Sequence, residues 1–186
     1  RAMPNMTVVS ISDAIQTIKV VDAAAECDGP VYFRLNRNVV PIVSEREDSF
    51  EIGKAVWHHH GQDVTLIATG IMVSRALDAK VDLELEGISA GVLEVHTLKP
   101  IDVKAIINAA RESGAVVTAE EHNIYGGLGG AVSEILGEYY PVPMQRVGIR
   151  DMFAESGAYD ALLEKYGLTK KAIIDSTKKV IKRKYK

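Results

Sequence analysis

Short apolar, β-branched runs alternate with longer stretches of helical periodicity along most of the chain. TVVSI (7–11) reads as a buried strand. Asp13 then opens a helix, with Gln16 three residues on as its capping-box partner, and Ile15, Ile18, Val21 and Ala25 recur at helical spacing. Asp28-Gly29-Pro30 stops that helix, and VYFRLNR (31–37) follows as a second strand. A strand–helix–strand unit is the building block of a parallel sheet, but two strands are too few for a domain.

After the polar stretch SEREDS (44–49) and the segment from Ile52 to His58, DVTLIATG (63–70) predicts a strand ending in glycine. A helix from about Val73 to Glu86 leads to the strand SAGVLEVH (89–96). Pro100 and Asp102 introduce a helix over 103–112, followed by the strand GAVVTAEE (114–121). A glycine-rich loop then enters a helix reaching about Tyr139, VPMQRVGI (142–149) forms a fourth strand, and helices over about 156–166 and 169–184 close the chain. Four strands alternating with helices make residues 61–186 a self-contained α/β unit: three layers, α/β/α, around a mostly parallel sheet. The division is then 1–43 as part of a first α/β domain, 44–60 as a linker with one leading strand, and 61–186 as a complete second domain.

Composition narrows the function classes. No apolar run approaches the roughly 18–20 residues that span a bilayer, and residues 1–10 lack the pattern of a signal peptide. Cys27 stands alone, so no internal disulfide forms. Together these point to a cytoplasmic protein that does not use membranes. The net charge is −3, yet the last nine residues hold six Lys or Arg, leaving −9 over the remainder. The acidic body repels phosphates and argues against nucleic-acid binding, and the basic end complements a helix C-terminus.

The stretch AEEHNIYGGLGG (119–130) concentrates the candidate chemistry. Its glycines sit between a strand and a helix, where backbone N–H groups can hold an anion. With Gly127 and Gly129 as the first pair of a dinucleotide fingerprint, the third glycine is replaced by Val132, and no Gly-Lys-Ser/Thr follows as in a P-loop. Tight turning and close backbone approach explain these glycines without a ligand. Glu120, Glu121 and His122 lie at a strand end, where α/β folds place ligands. Neighbours on a strand point to opposite faces, so Glu121 and His122 need not converge. Glu121, His122, Gly126, Gly127 and Gly129 are therefore the candidates for an interface or anion loop, and the apolar face over Gly127 to Ile135 is the candidate self-association surface.

His58-His59-His60 alternate in direction and lack nearby Cys partners, which favours solvated histidines over a metal site. Arg34 and Arg37 lie near a strand end, where a guanidinium can grip phosphate, and their spacing admits only one of them to a site. No nucleophile with its base is present.

MPNMTVVSISDA, GPVYFRLNR, DVTLIATG, EVHTLKPID and EEHNIYGGLGGAVSE, in this order, resemble the last two-fifths of a transketolase. The resemblance implies that residues 1–43 end the pyrimidine-binding domain and that residues 50–186 are the C-terminal domain. It implies a thiamine-diphosphate enzyme with Mg²⁺ that moves a two-carbon ketol unit between sugar phosphates. Arg37, in LNR where the family has LSR, matches the arginine that takes the substrate phosphate; Asn36 replaces the usual serine. The family's cofactor-activating glutamate, metal site and substrate histidines belong to segments preceding Arg1. The resemblance thus implies an N-terminal subunit or section as partner, a homo-oligomer, no catalytic residue and no metal site here, and no cofactor held by this part alone. The β subunits of 2-oxo acid dehydrogenases and deoxyxylulose-phosphate synthase share the domain, and a non-catalytic dimerisation or regulatory module is the other alternative.

Overall fold

A computed structural model describes residues 1–46 and 49–184. Glu47 and Asp48 of the polar stretch, and the last two residues of the basic end, lie outside the described residues. The elements run β1 (Thr7–Ser10), α1 (Ala14–Ala25), β2 (Val31–Arg34), β3 (Val56–His59), β4 (Val64–Ala68), α2 (Met72–Leu85) and β5 (Ala90–Glu94). They continue as β6 (Thr97–Lys99), α3 (Val103–Ser113), β7 (Val116–Asn123), α4 (Leu128–Tyr139), β8 (Met144–Ile149), α5 (Tyr159–Lys165) and α6 (Lys170–Lys184).

Two sheets result. The larger has the order β3-β5-β4-β7-β8, with β5, β4, β7 and β8 parallel and β3 an antiparallel edge strand. Period-2 alternation splits its side chains between two cores. Leu66, Ala68, Val92, Val117 and Val147 face α2, α5 and α6. Ile67, Leu93 and Val116 face α3 and α4. This is the three-layer, mostly parallel architecture predicted from the alternation of elements.

The smaller sheet, β2-β1-β6, joins the two parts of the chain. β1 pairs parallel with β2 and antiparallel with β6, whose three residues follow β5 almost directly. The sequence predicts one strand over 89–96 and carries no signal for β6. β6 is three residues long, and Val95 and His96 separate it from β5.

Other boundaries move for local reasons. Gly114 is the left-handed cap of α3 (φ 62°), not the start of β7. β2 ends at Arg34, so Arg37 lies beyond the strand. Asp13 caps α1 as predicted, accepting from the Gln16 amide at 2.9 Å. Gln16, however, does not complete the capping box: its Oε1 accepts from the Ser12 amide at 3.0 Å and its Nε2 donates to Glu94 at 2.7 Å. The face of α1 also differs from its periodicity. Gln16 and Val20 are buried, whereas Ile18 and Val21 are 69% and 50% exposed. The Gln16–Glu94 bond and the Val9, Ile11 and Val20 cluster fix the inward side of the helix, which turns the Ile18/Val21 stripe outward.

Candidate functional site

β7 carries the candidate cluster past the end of its regular pairing. Its register with β8 shifts between Ala119 and Asn123, and such an irregularity re-aims the side chains it contains. Glu120, Glu121 and His122 consequently take three different environments.

Glu120 is buried at 1% exposure and fills the mouth of α4. Its two oxygens accept from the Leu128 and Gly129 amides, both at 2.7 Å. These are among the donors a helix N-terminus leaves unpaired, so the anion at this glycine loop is the chain's own carboxylate. Burial pushes the Glu120 carboxyl upward, against the opposing pull of those two amides, His122 and Arg146. The glycines follow from this arrangement. A Cβ at Gly127 would overlap Glu120 Oε2, and one at Gly129 would lie 2.8 Å from Arg146 Cδ and 3.0 Å from Glu120 Oε1. Gly126, with φ +77°, makes the turn itself. Close approach to the Glu120 carboxylate thus accounts for Gly127 and Gly129.

Glu121 points elsewhere. Its carboxylate meets Arg34 Nη2 at 2.9 Å, and its carbonyl oxygen accepts from Arg34 Nη1. His122 is exposed, with Nδ1 2.8 Å from the Asn123 carbonyl oxygen and 3.9 Å from Glu120 Oε2. Glu121 and His122 therefore take different hydrogen-bond partners. The apolar residues over Gly127 to Ile135 do not form a free surface. Leu128, Ala131, Val132 and Ile135 are buried inside the chain, most of them against α3 and β7. The expectation of a self-association face over Gly127 to Ile135 is corrected accordingly: that face is already used.

A cavity of about 370 Å³ separates β1 and β2 from the end of β7. Its walls include Tyr32, Arg34 and Asn36 on one side and Glu120, Glu121, His122 and Leu128 on the other. Of the two candidate arginines, only Arg34 lines it. Arg37 is exposed outside it, and takes part in no ion pair among the described residues. The amide nitrogen of Asn36 is buried without a partner among the described residues.

The histidines of 58–60 separate as well. His59 is exposed, and His60 pairs with Glu112 at 2.9 Å while stacking on Trp57 at 4.2 Å. His58 departs from the solvated reading: its Nε2 lies 2.8 Å from Oε2 of the wholly buried Glu94. Glu94 was missed from sequence, although a carboxylate inside the apolar run SAGVLEVH was the available signal.

Comparison with known proteins places this geometry in a family. Residues 53–173 match the family described as transketolase, C-terminal domain. The chain is 47% identical over 184 residues to the 6-deoxy-6-sulfo-D-fructose transketolase subunit of a Clostridium species, covering 99% of this chain and 57% of that protein. It is 36% identical over 172 residues to the 1-deoxy-D-xylulose-5-phosphate synthase of Heliobacterium modesticaldum, covering 91% of this chain and 27% of that protein. Among solved structures it matches a split-gene transketolase, described as an inactive beta4 tetramer, with a TM-score of 0.96 and 48% identity over 99% of this chain and 60% of that one. The chain thus spans somewhat more than half the length of its split-transketolase relatives. It belongs to the transketolase family, with residues 53–173 forming that family's C-terminal domain.

Proposed function

We propose that the chain is the C-terminal part of a thiamine-diphosphate-dependent transketolase, acting with an N-terminal section to move a two-carbon ketol unit between sugar phosphates. The observation that carries this reading is the uncovered Ile18/Val21 stripe of α1. A helix that turns apolar side chains to solvent while burying a glutamine is suited to a domain completed by further chain, and in this reading residues 1–43 are the end of a pyrimidine-binding domain. Among the described residues no group of three His, Cys, Asp or Glu side chains could hold a divalent ion, so in this reading the partner section supplies the Mg²⁺–diphosphate site. When bound, thiamine diphosphate would supply the carbanion chemistry of the transfer.

The role proposed for this chain's own residues is substrate anchoring. Arg37 stands exposed just past the end of β2, and its guanidinium can grip a substrate phosphate bidentately. A charge-assisted contact of this kind contributes roughly 2–3 kcal/mol. Arg37→Ala in the assembled enzyme therefore raises KM for phosphorylated sugars by about 30- to 150-fold and leaves unphosphorylated donors nearly unchanged. Equal damage to both substrate classes would make Arg37 structural.

Two relatives favour specific variants. The Clostridium protein is named for a sulfo-sugar, and a sulfonate is another tetrahedral anion that a guanidinium takes. The synthase from Heliobacterium is named for a different product made by a related chain. Sugar phosphates, sulfo-sugars and a 2-oxo acid donor assayed side by side distinguish the three.

A further inference from the structure

We propose that Glu121 is a positioning residue: through Arg34 it fixes the end of β2 above the cavity and so directs the turn that carries Arg37. The inference rests on the reading that Arg37 receives the substrate anion, and deepens it by naming what holds Arg37 in place.

The support for β2 is uneven. It is an edge strand of four residues, paired among the described residues with β1 alone, and its last register pair is Ser10–Arg34. Phe33 packs one face against the Val9, Ile11 and Val20 cluster. The opposite face, represented by Tyr32, Arg34 and Asn36, overlies the cavity instead of a packed core. Apolar packing therefore does not hold the strand end from that side. The anchor there is Arg34, whose guanidinium engages Glu121 twice, through the carboxylate at 2.9 Å and through the backbone carbonyl. Two bonds from one planar fork set orientation as well as distance, which a single lysine contact does not do.

Both members are well placed for this work. Glu121 lies in the irregular stretch of β7, which belongs to the rigid larger sheet. Arg34 is the last residue of β2, three positions before Arg37. The side chains are partly covered, at 35% and 23% exposure, so water screens the pair only in part. Releasing it leaves residues 35–37, beyond the last pair with β1, without an anchor on the cavity side. A displacement of the anchoring group by about 1 Å is enough to cost a positioned contact much of its effect.

The test uses the assembled enzyme, with its N-terminal section, thiamine diphosphate and Mg²⁺. Glu121→Gln keeps the size of the side chain and the backbone carbonyl while removing the charge. It should raise KM for phosphorylated sugars by about 3- to 10-fold, with kcat and the unphosphorylated donor unchanged within about twofold. The same substitution in an Arg37→Ala background should add nothing, because its effect passes through Arg37. Arg34→Lys, which keeps charge but loses the fork, should show the same selective pattern and carries the test if Glu121→Gln does not fold. Equal losses for both substrate classes, or full additivity with Arg37→Ala, would overturn the positioning role. If Arg37→Ala is selective while Glu121→Gln and Arg34→Lys match wild type, this inference alone fails. If Arg37→Ala is itself unselective, the anchoring reading fails and takes the inference with it.

Discussion

The Glu120 carboxylate occupies the volume that a Cβ at Gly127 would need, while its oxygens cap the first amides of α4. Glycine at 127 and the buried acid at 120 are thus one structural device. Gly127→Ala forces either the carboxylate out of the helix mouth or the backbone away from it. Because this leaves buried donors unpaired, it should destabilise by about 1–3 kcal/mol. Gly137→Ala, where a Cβ meets nothing within 4 Å, should stabilise slightly or be neutral. Paired denaturant melts of the two variants check this, and equal losses would contradict it.

Two buried acids should respond to pH in opposite directions. Asp13 ties the start of α1 to the start of the linker, accepting from the Gln16 amide and, at 2.8 Å each, from the Val43 and Ser44 amides. Burial opposes its charge, but these bonds together hold the carboxyl below its ordinary 3.8. A depressed folded value gives stability that is present above 3.8 and lost as pH falls through the folded value. Glu120, raised above 4.5 chiefly by burial, contributes stability below 4.5 that is lost as pH rises through its folded value. Asp13→Asn should therefore flatten the loss of stability as pH falls below 3.8, and Glu120→Gln the loss as pH rises above 4.5. Thermal melts from pH 3 to 7 read both slopes.

Glu94 ties α1 to the larger sheet, with Gln16 on one oxygen and His58 on the other. Glu94 is wholly buried, so removing both partners strands a carboxylate in the core. The double variant Gln16→Ala/His58→Ala should cost about 3–5 kcal/mol. Glu94→Leu, which removes the buried acid itself, should cost less. A calorimetric comparison checks the order, and the reverse order would show that the carboxylate is not stabilised by these partners.

Much of this was legible from sequence for a physical reason. Strands buried on both faces read as continuous apolar runs, and β4, β5 and the first part of β7 are of this kind, so TLIA and GVLE announced themselves. Asp102 and Asp13 announced their helices through the short acceptor side chain a cap requires. β6 did not, because its pairing with β1 is a tertiary event over three residues. The outward turn of Ile18 and Val21 was equally hidden: helical periodicity finds an apolar stripe but not which partner covers it. Within the candidate loop, the glycine spacing excluded nucleotide fingerprints. The register shift that sends Glu120 to α4 and Glu121 to Arg34 depends on β8 and left no sequence mark.

The exposed stripe of α1 makes an assembly prediction. Ile18→Glu with Val21→Glu should leave the melting temperature of the chain within a few degrees, since both side chains already face water. The same pair should weaken association with the N-terminal section by more than about tenfold, because charges at an interface core are costly. Sedimentation titrations against the wild-type chain decide. Unchanged association would place the contact elsewhere.

The central claim is that this chain is one part of a transketolase completed by an N-terminal section. Its most direct measurement is two-carbon ketol transfer between sugar phosphates, with thiamine diphosphate and Mg²⁺ at saturation, as the N-terminal section is titrated into a fixed amount of this chain. The account predicts no transfer by either part alone and activity that rises and saturates at a fixed stoichiometric ratio. Transfer by this chain without the section, or none at any ratio of the two folded parts with any of the three substrate classes, would contradict it.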